Sequence, residues 1–115
     1  MKPIRSMKCY ISKDFPPLHM LFTEEEGVVV VRCLDFSISS HGKDIPDAIE
    51  SINSALVDYI KHGIESGDVE RIFDPELKMY WDWYKELEIE KERSNFKEQC
   101  KGLEKNVLEK GLIYA

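Results

Sequence analysis

Residues 28–60 read VVVVRCLDFSISSHGKDIPDAIESINSALVDYI, and this stretch decides the predicted fold. Its four consecutive valines predict a strand covered on both faces, because β-branched side chains favour extended backbone. A helix is predicted from Asp44, an N-cap residue, with Pro46 in the first turn, where a missing N–H does no harm. The apolar residues that follow recur at three- and four-residue steps and form one stripe that can lie on a sheet. They are Ile45, Ala48, Ile49, Ile52, Ala55, Leu56, Tyr59 and Ile60.

Two further strands are predicted on either side of the valine run. Residues 19–23 precede it across a turn of three glutamates and Gly27, and residues 37–41 follow it. These connections are short, which favours an antiparallel meander. Residues 69–73 are a candidate for a fourth short strand after the helix. The expected fold is therefore α+β, a βββα(β) antiparallel sheet with one packed helix.

The segments on either side of this α+β domain (residues 17–73) differ from it in composition. Residues 1–16 carry four bases and meet a proline pair, so they predict an N-terminal arm or a short edge strand. Residues 74–115 predict a strongly charged C-terminal helical extension, with Asp74 as its cap and Pro75 in its first turn. The apolar residues of this extension follow two helical phases, which predicts a bend between the phases. The first phase is Leu77, Tyr80, Tyr84 and Leu87; the second is Ile89, Phe96, Cys100, Leu103 and Val107.

Composition and charge exclude several classes of protein. With 43% hydrophobic residues the chain can build a core, and with 22 acidic against 16 basic side chains it is a poor generic nucleic-acid binder. Three cysteines without paired spacing fit reduced thiols. The sequence has no apolar run of about 20 residues and no secretory leader pattern. We therefore expect a cytoplasmic protein with no membrane contact.

The stretch 33–42, Cys-Leu-Asp-Phe-Ser-Ile-Ser-Ser-His-Gly, resembles the C-P-E-L-x-V-x-S-Q-G text of the HicB family. Residues 43–48 stand where that family has D-T-x-x-E-A at the start of a helix. The sequence departs from the family at Leu34, where proline is usual, and at Ser51, where asparagine is frequent. The resemblance implies a partial RNase H-like fold without nuclease residues. It also implies an antitoxin, or an antitoxin-derived orphan, that neutralises a small basic toxin.

Two sets of contact residues are predicted, one from the family resemblance and one from the exposed sheet edge and the aromatic tail. An inhibitor of a basic toxin gains fast association from an acidic face. The candidates are Glu24, Glu25, Glu26, Asp35, Asp44 and Asp47. A homo-oligomer is also expected, with aromatic and apolar residues of the extension covering a partner subunit or the sheet. These residues are Tyr80, Trp81, Tyr84, Leu87, Phe96 and Leu103. The usual C-terminal DNA-binding module of the family is not recognisable in residues 68–115, which carry a net charge of −3, so nucleic-acid binding through this tail is not expected.

Two other functions stay open at this stage. One is an RNA-binding module, since the implied fold is akin to the double-stranded-RNA-binding domain, although residues 17–67 carry a net charge of −6. The other is a small hydrolase that uses His41 and nearby carboxylates. A strand-end histidine explains His41 better, because no second acid or base has a predictable place beside it. Helix capping and a turn explain the aspartates better than a Mg²⁺ site does. We therefore expect no catalytic residue, metal or cofactor.

Overall fold

The computed structural model describes residues 1–114, which contain one antiparallel sheet of four strands in the order β1-β2-β3-β4. The strands are β1 (Lys2–Cys9), β2 (Leu18–Glu25), β3 (Val28–Cys33) and β4 (Ile38–Gly42). The helices are α1 (Ile45–Glu65), α2 (Lys78–Lys101) and α3 (Lys105–Glu109), with a 3-10 turn at Val69–Arg71. The predicted α+β class and antiparallel meander are therefore confirmed, and β1 adds to the three strands of the meander an edge strand, one of the two alternatives for residues 1–16.

The β2–β3 hairpin is closed by a two-residue turn at Glu26 and Gly27. Both residues have positive φ, 52° and 79°, as a type I′ turn requires, and this turn matches the twist of the flanking strands. The hairpin therefore has one register, with Glu25 opposite Val28 and Met20 opposite Cys33. Residues 2–9, in the segment predicted as an arm or edge strand, pair with β2 and contain a bulge near Pro3. Proline, bulge and exposed bases protect this sheet edge from further pairing.

Helix α1 forms as predicted and packs on one face of the sheet. The Asp44 side chain accepts a hydrogen bond from the Asp47 N–H at 2.9 Å, and Pro46 lies in the first turn. Gly42 allows the close approach of this turn to β4, because a Cβ there would lie 2.5 Å from the Ala48 nitrogen. The main core lies between α1 and the sheet and contains Leu18, Met20, Phe22, Val31, Cys33, Phe36, Ala48, Ile52 and Leu56.

The segment after α1 differs from the prediction. Residues 69–73 do not form a strand, because the Tyr59 hydroxyl donates to the carbonyls of Arg71 and Ile72 and holds them beside α1. Asp74 and Pro75 do not start a helix either. The Asp74 N–H instead donates to the Asp35 carbonyl at 2.9 Å, and the chain crosses the end of the sheet before α2 begins.

Helix α2, which belongs to the predicted C-terminal helical extension, covers part of the opposite face of the sheet, so the sheet carries a packed helix on each face. A second cluster of buried residues, Leu21, Leu34 and Tyr84, lies beneath it. The predicted bend between Leu87 and Phe96 is absent, since α2 runs unbroken to Lys101 and ends at Gly102. Of the first apolar phase, Tyr80, Tyr84 and Leu87 face the sheet and Leu77 is exposed, whereas the second phase stays exposed. Within residues 1–114, none of the helices has the length and apolarity that crossing a bilayer requires.

Candidate interaction surfaces

The strand register brings carboxylates together at one end of the sheet. Glu24 on β2 is paired with Val29, and Val29 is paired in turn with Gly42 at the end of β4. Because α1 starts just after Gly42, the β2–β3 turn and the first turn of α1 lie at the same end. The exposed carboxylates there, which we call the acidic end, are Glu24, Glu26, Asp44 and Asp47. Lys2 and Lys43 also lie at this end and offset part of its charge.

The two aspartates of the acidic end are fixed in position by hydrogen bonds. The Asp44 carboxylate accepts the Asp47 N–H, and the Asp47 carboxylate accepts the Lys43 N–H, both at 2.9 Å. These bonds satisfy backbone amides that have no partner at a helix start. A carboxylate has about four lone-pair sites, so each side chain can still accept bonds from a cationic partner.

Glu25 is held in an ion pair and does not contribute to the acidic end. Arg32 Nη1 lies 3.2 Å from Glu25 Oε2 and 3.0 Å from the Thr23 hydroxyl, and its guanidinium lies 4.5 Å from the centre of the Tyr80 ring. Burial raises the pKa of Glu25, but the hydrogen bonds from Thr23 and Arg32 outweigh burial and hold that pKa below its usual value. Glu25 was predicted to contact a partner, but its carboxylate is already bound to Arg32 and Thr23 within the sheet.

Asp35 lies at the opposite end of the sheet from the acidic end and is only 5% exposed. The chain reaches it after β3 has run away from the β2–β3 turn, so it cannot belong to the same surface. Its carboxylate accepts the backbone N–H of His19 at 2.6 Å, and its second oxygen lies 3.0 Å from His19 Nδ1. The expectation that Asp35 contacts a basic partner is wrong for this reason.

The His19 ring is packed between two aromatic residues of α2. Its centre lies 5.2 Å from that of Trp81 and 5.3 Å from that of Tyr84, and a cavity of about 290 Å³ opens beside it. A histidine oriented by a buried carboxylate is also the arrangement of a general base. The thiol near this pair, Cys33, lies with its Sγ 4.0 Å from Asp35 Oδ1, and burial raises its pKa to about 12. It is therefore protonated and unreactive at neutral pH.

The hydrogen bonds of Asp35 indicate that the His19–Asp35 pair is a structural contact. Its carboxylate satisfies the His19 amide, and its carbonyl accepts the Asp74 N–H, while the Leu34 carbonyl accepts the Glu76 N–H at 2.8 Å. Asp35 thus joins β2, the end of β3 and the linker to α2. We interpret it as the residue that directs the chain from one face of the sheet to the other.

Sequence reasoning missed the His19–Asp35 pair, although a signal was present. The two-residue turn at Glu26 and Gly27 pairs Glu25 with Val28, and extending that ladder places His19 opposite Leu34. Asp35 then follows directly. The type of this turn was not assigned from the sequence, so the pairing register of the hairpin was not fixed. A shift of one residue in that register would move every side chain of the strand to the other face of the sheet.

The residues considered for hydrolysis or metal binding are dispersed. His41 is exposed on β4 opposite Val30, on the face of the sheet turned away from α1. Asp44 and Asp47 belong to the first turn of α1, and Asp35 lies at the far end of the sheet. In the described part of the chain, residues 1–114, no three histidine, cysteine or acidic side chains are grouped so that they could hold a metal ion.

The six residues expected to cover a partner subunit or the sheet fall into two groups. Those packed on the sheet with Leu21 and Leu34 are Tyr80, Trp81, Tyr84 and Leu87. The remaining two, Phe96 and Leu103, lie beyond the sheet and are 68% and 46% exposed. The aromatic cluster therefore covers the sheet, whereas the second group stays exposed in the part of the chain that the structure describes.

An apolar groove of about 340 Å³ lies at the end of the sheet opposite to the acidic end. It is formed by the loop after β1, the last turn of α1 and the 3-10 turn. Phe15, Ile64 and Phe73 line it, and each is more than half exposed. Because the side chains that line this groove are apolar, it can make apolar contacts but offers no group for polar or ionic recognition.

No protein-family model, curated protein or solved structure matches this sequence. The basis for a functional proposal is therefore the geometry described above.

Proposed function

We propose that this chain is a non-catalytic protein-interaction domain, a HicB-like antitoxin or an antitoxin-derived orphan, that binds a small basic partner protein. The observation that carries the proposal is the acidic end, where the sheet register joins Glu24 and Glu26 of the turn to Asp44 and Asp47 of α1. These four carboxylates come from separate parts of the sequence, and they are exposed together. Lys2 and Lys43 are basic neighbours of these carboxylates by strand pairing and sequence.

The acidic end is suited to steering a cationic surface. The aspartate side chains are fixed by hydrogen bonds at the start of α1, and the backbone of Glu26 is fixed by the tight turn, so these groups lose little conformational freedom on binding. Clustered charge of one sign raises association rates by about 10–10³-fold at low ionic strength. The effect falls with added salt, because exposed charges are screened over about 10 Å at 0.1 M.

The non-catalytic part of the proposal rests on how the candidate catalytic groups are used. The carboxylates of Asp44 and Asp47 bond to backbone amides of the α1 start, and Asp35 bonds to His19 in the interior. His41 projects from another face of the sheet. We place the interaction in the cytoplasm, because three free cysteines, one of them the exposed Cys100, suit a reducing compartment.

The test uses charge reversal at the acidic end. The variant Glu24→Lys/Glu26→Lys leaves Glu25 in place, so the ion pair with Arg32 is kept and the fold is not perturbed. The test partner is a small basic protein encoded beside the gene, and its association is measured by stopped-flow at several salt concentrations; a neighbouring gene that encodes no such protein would contradict the antitoxin proposal. We expect about tenfold slower association at low salt and a flatter salt dependence.

The matched control is Asp58→Lys/Glu65→Lys, which changes the charge equally on exposed positions in the second half of α1. We expect its association rate to stay within about twofold of the wild type. Equal slowing in both variants would show that only the net charge of the protein affects association. This result would contradict a specific role of the acidic end. Binding of the wild type to a short RNA duplex, but not to the basic protein, would favour the RNA-binding function instead.

A further inference from the structure

The second half of α2 projects beyond the sheet, and within residues 1–114 it adds no side chain to either buried cluster. All residues of α2 from Ile89 onward are exposed, and the last contact with the sheet is the hydrogen bond from Lys91 Nζ to the Ser6 carbonyl at 3.3 Å. The radius of gyration is 18.1 Å, against about 13 Å for a compact domain of this size. Helical segments shorter than about 12–15 residues are marginal in water unless they pack against something.

An apolar stripe runs along this projecting half. Ile89, Phe96 and Cys100 are exposed, and Arg93 completes a series with steps of four, three and four residues. This spacing is that of the seam between two coiled helices. At about 100° per residue, Ile89 lies about 140° around the helix from Tyr84, so the stripe faces away from the sheet. A helix approaching this stripe therefore meets no obstacle from the domain.

The charges of α2 are divided along its length. Residues 86–92 contain four glutamates and one lysine, whereas residues 93–101 contain three basic residues and one glutamate. A uniformly basic or acidic partner helix would match only one of these halves. A second copy of α2 running in the opposite direction matches both, because each acidic half then lies beside a basic half.

We infer that the chain forms a two-fold symmetric dimer through an antiparallel contact between the projecting halves of two α2 helices. With the axis between Ser94 and Asn95, Ile89 lies opposite the partner's Cys100, and Phe96 lies opposite the partner's Arg93. Each contact occurs twice, as two-fold symmetry requires. The guanidinium can lie over the phenylalanine ring, a favourable cation–π arrangement.

A parallel pair of the same helices is disfavoured by two contacts. It places Arg93 against the partner's Arg93 in the seam, and it aligns the acidic halves with each other. The antiparallel pair instead brings Glu90 beside the partner's Lys97 on the flank of the seam. Since the stripe has only four positions on each helix, we expect a dissociation constant in the range of about 1–100 μM.

The orientation is tested by disulfide formation under mild oxidation. Ile89→Cys supplies a thiol opposite the partner's Cys100, so this variant should give a covalent dimer on a non-reducing gel. The variant Ile89→Cys/Cys100→Ser should give no covalent dimer, because residue 89 of one protomer and residue 89 of its partner are about 16 Å apart along the seam. Efficient cross-linking of the wild type through Cys100 alone would show a parallel pair and overturn the antiparallel seam.

The surface is tested by sedimentation velocity over micromolar concentrations. The wild type should dimerise, and Phe96→Glu should be a monomer that still unfolds cooperatively in urea, because residue 96 is exposed in the protomer and lies outside both buried clusters. Ile64→Glu, an apolar residue of similar exposure in the apolar groove, is the control and should still dimerise. A monomeric wild type would overturn the inference. Loss of the dimer in Ile64→Glu alone would place the interface at the groove and overturn it as well.

Discussion

Replacing Leu21 with alanine tests whether α2 forms a second layer on the sheet. Leu21 is fully buried and points to the face of β2 opposite to Phe22, where its cover comes from α2. Burial of a leucine side chain contributes about 1.5–3 kcal/mol. The cavity left by the substitution adds to this, since the rigid ring of Tyr84 can collapse onto the space only in part. We therefore expect Leu21→Ala to lower the free energy of unfolding by about 3 kcal/mol.

The assay is urea unfolding followed by two signals. Both tryptophans, Trp81 and Trp83, lie on α2, so their fluorescence reports the docking of this helix, whereas far-ultraviolet circular dichroism reports the whole chain. Both signals should shift to lower urea together. Val30→Ala is the matched control, because Val30 lies on the same face but outside the cluster beneath α2. Its cost should stay below about 1 kcal/mol.

Two results would refute this reasoning. If Leu21→Ala cost no more than Val30→Ala, α2 would not be covering the sheet in solution. If the fluorescence transition occurred at lower urea than the circular dichroism transition, and its midpoint were unchanged by Leu21→Ala, α2 would be detaching independently of the sheet. In either case the second buried cluster would not contribute to stability.

Two further substitutions test the packing of α1 against β4 and the stability of the protein at alkaline pH. Gly42→Ala should lower the free energy of unfolding by about 2–3 kcal/mol, because the new Cβ would lie 2.5 Å from the backbone nitrogen of Ala48, and urea unfolding measures this. Gly27→Ala, which has a positive φ but no atom within 4 Å, should cost only about 1 kcal/mol, and equal costs would contradict the close approach. Burial raises the pKa of Tyr84 to about 12, with smaller contributions from Glu88 and Asp35. The unfolded phenol titrates near pH 10, so this stabilisation is complete below about pH 10 and is lost as the pH rises toward 12. Tyr84→Phe should therefore flatten the fall of the urea midpoint above pH 10, whereas the exposed Tyr114→Phe should leave it unchanged; an identical fall in both variants would contradict the assignment.

The parts of the fold that were predicted correctly have strong local signals. For α1, the Asp44 cap, Pro46 in the first turn and a continuous apolar stripe all indicate the same element, and the structure contains it. The valine run likewise became a central strand, because no local alternative competes with β-branched residues in sequence. These features depend on neighbours within a few residues, which a sequence displays directly.

The parts that were predicted wrongly depend on distant partners. Residues 69–73 have strand-forming side chains, but the Tyr59 hydroxyl binds their carbonyls from α1. In α2, the two apolar phases are both present, but they lie on different faces of one straight helix. Tyr80, Tyr84 and Leu87 pack on Leu21 and Leu34, whereas the second phase is exposed within residues 1–114. No short window of sequence contains that information.

The position of α2 also bears on the alternative of RNA binding. Aromatic side chains that bind single-stranded nucleic acid must present their faces to bases. Here Trp81 and Tyr84 pack around His19, and Tyr80 packs against Arg32, so these rings already have partners in the domain. With α1 covering one face of the sheet and α2 covering part of the other, exposed charged and apolar groups remain at the ends of the sheet and on the projecting helix. This arrangement fits the proposed contacts with proteins, in which charge and apolar area act together, better than a platform for stacked bases.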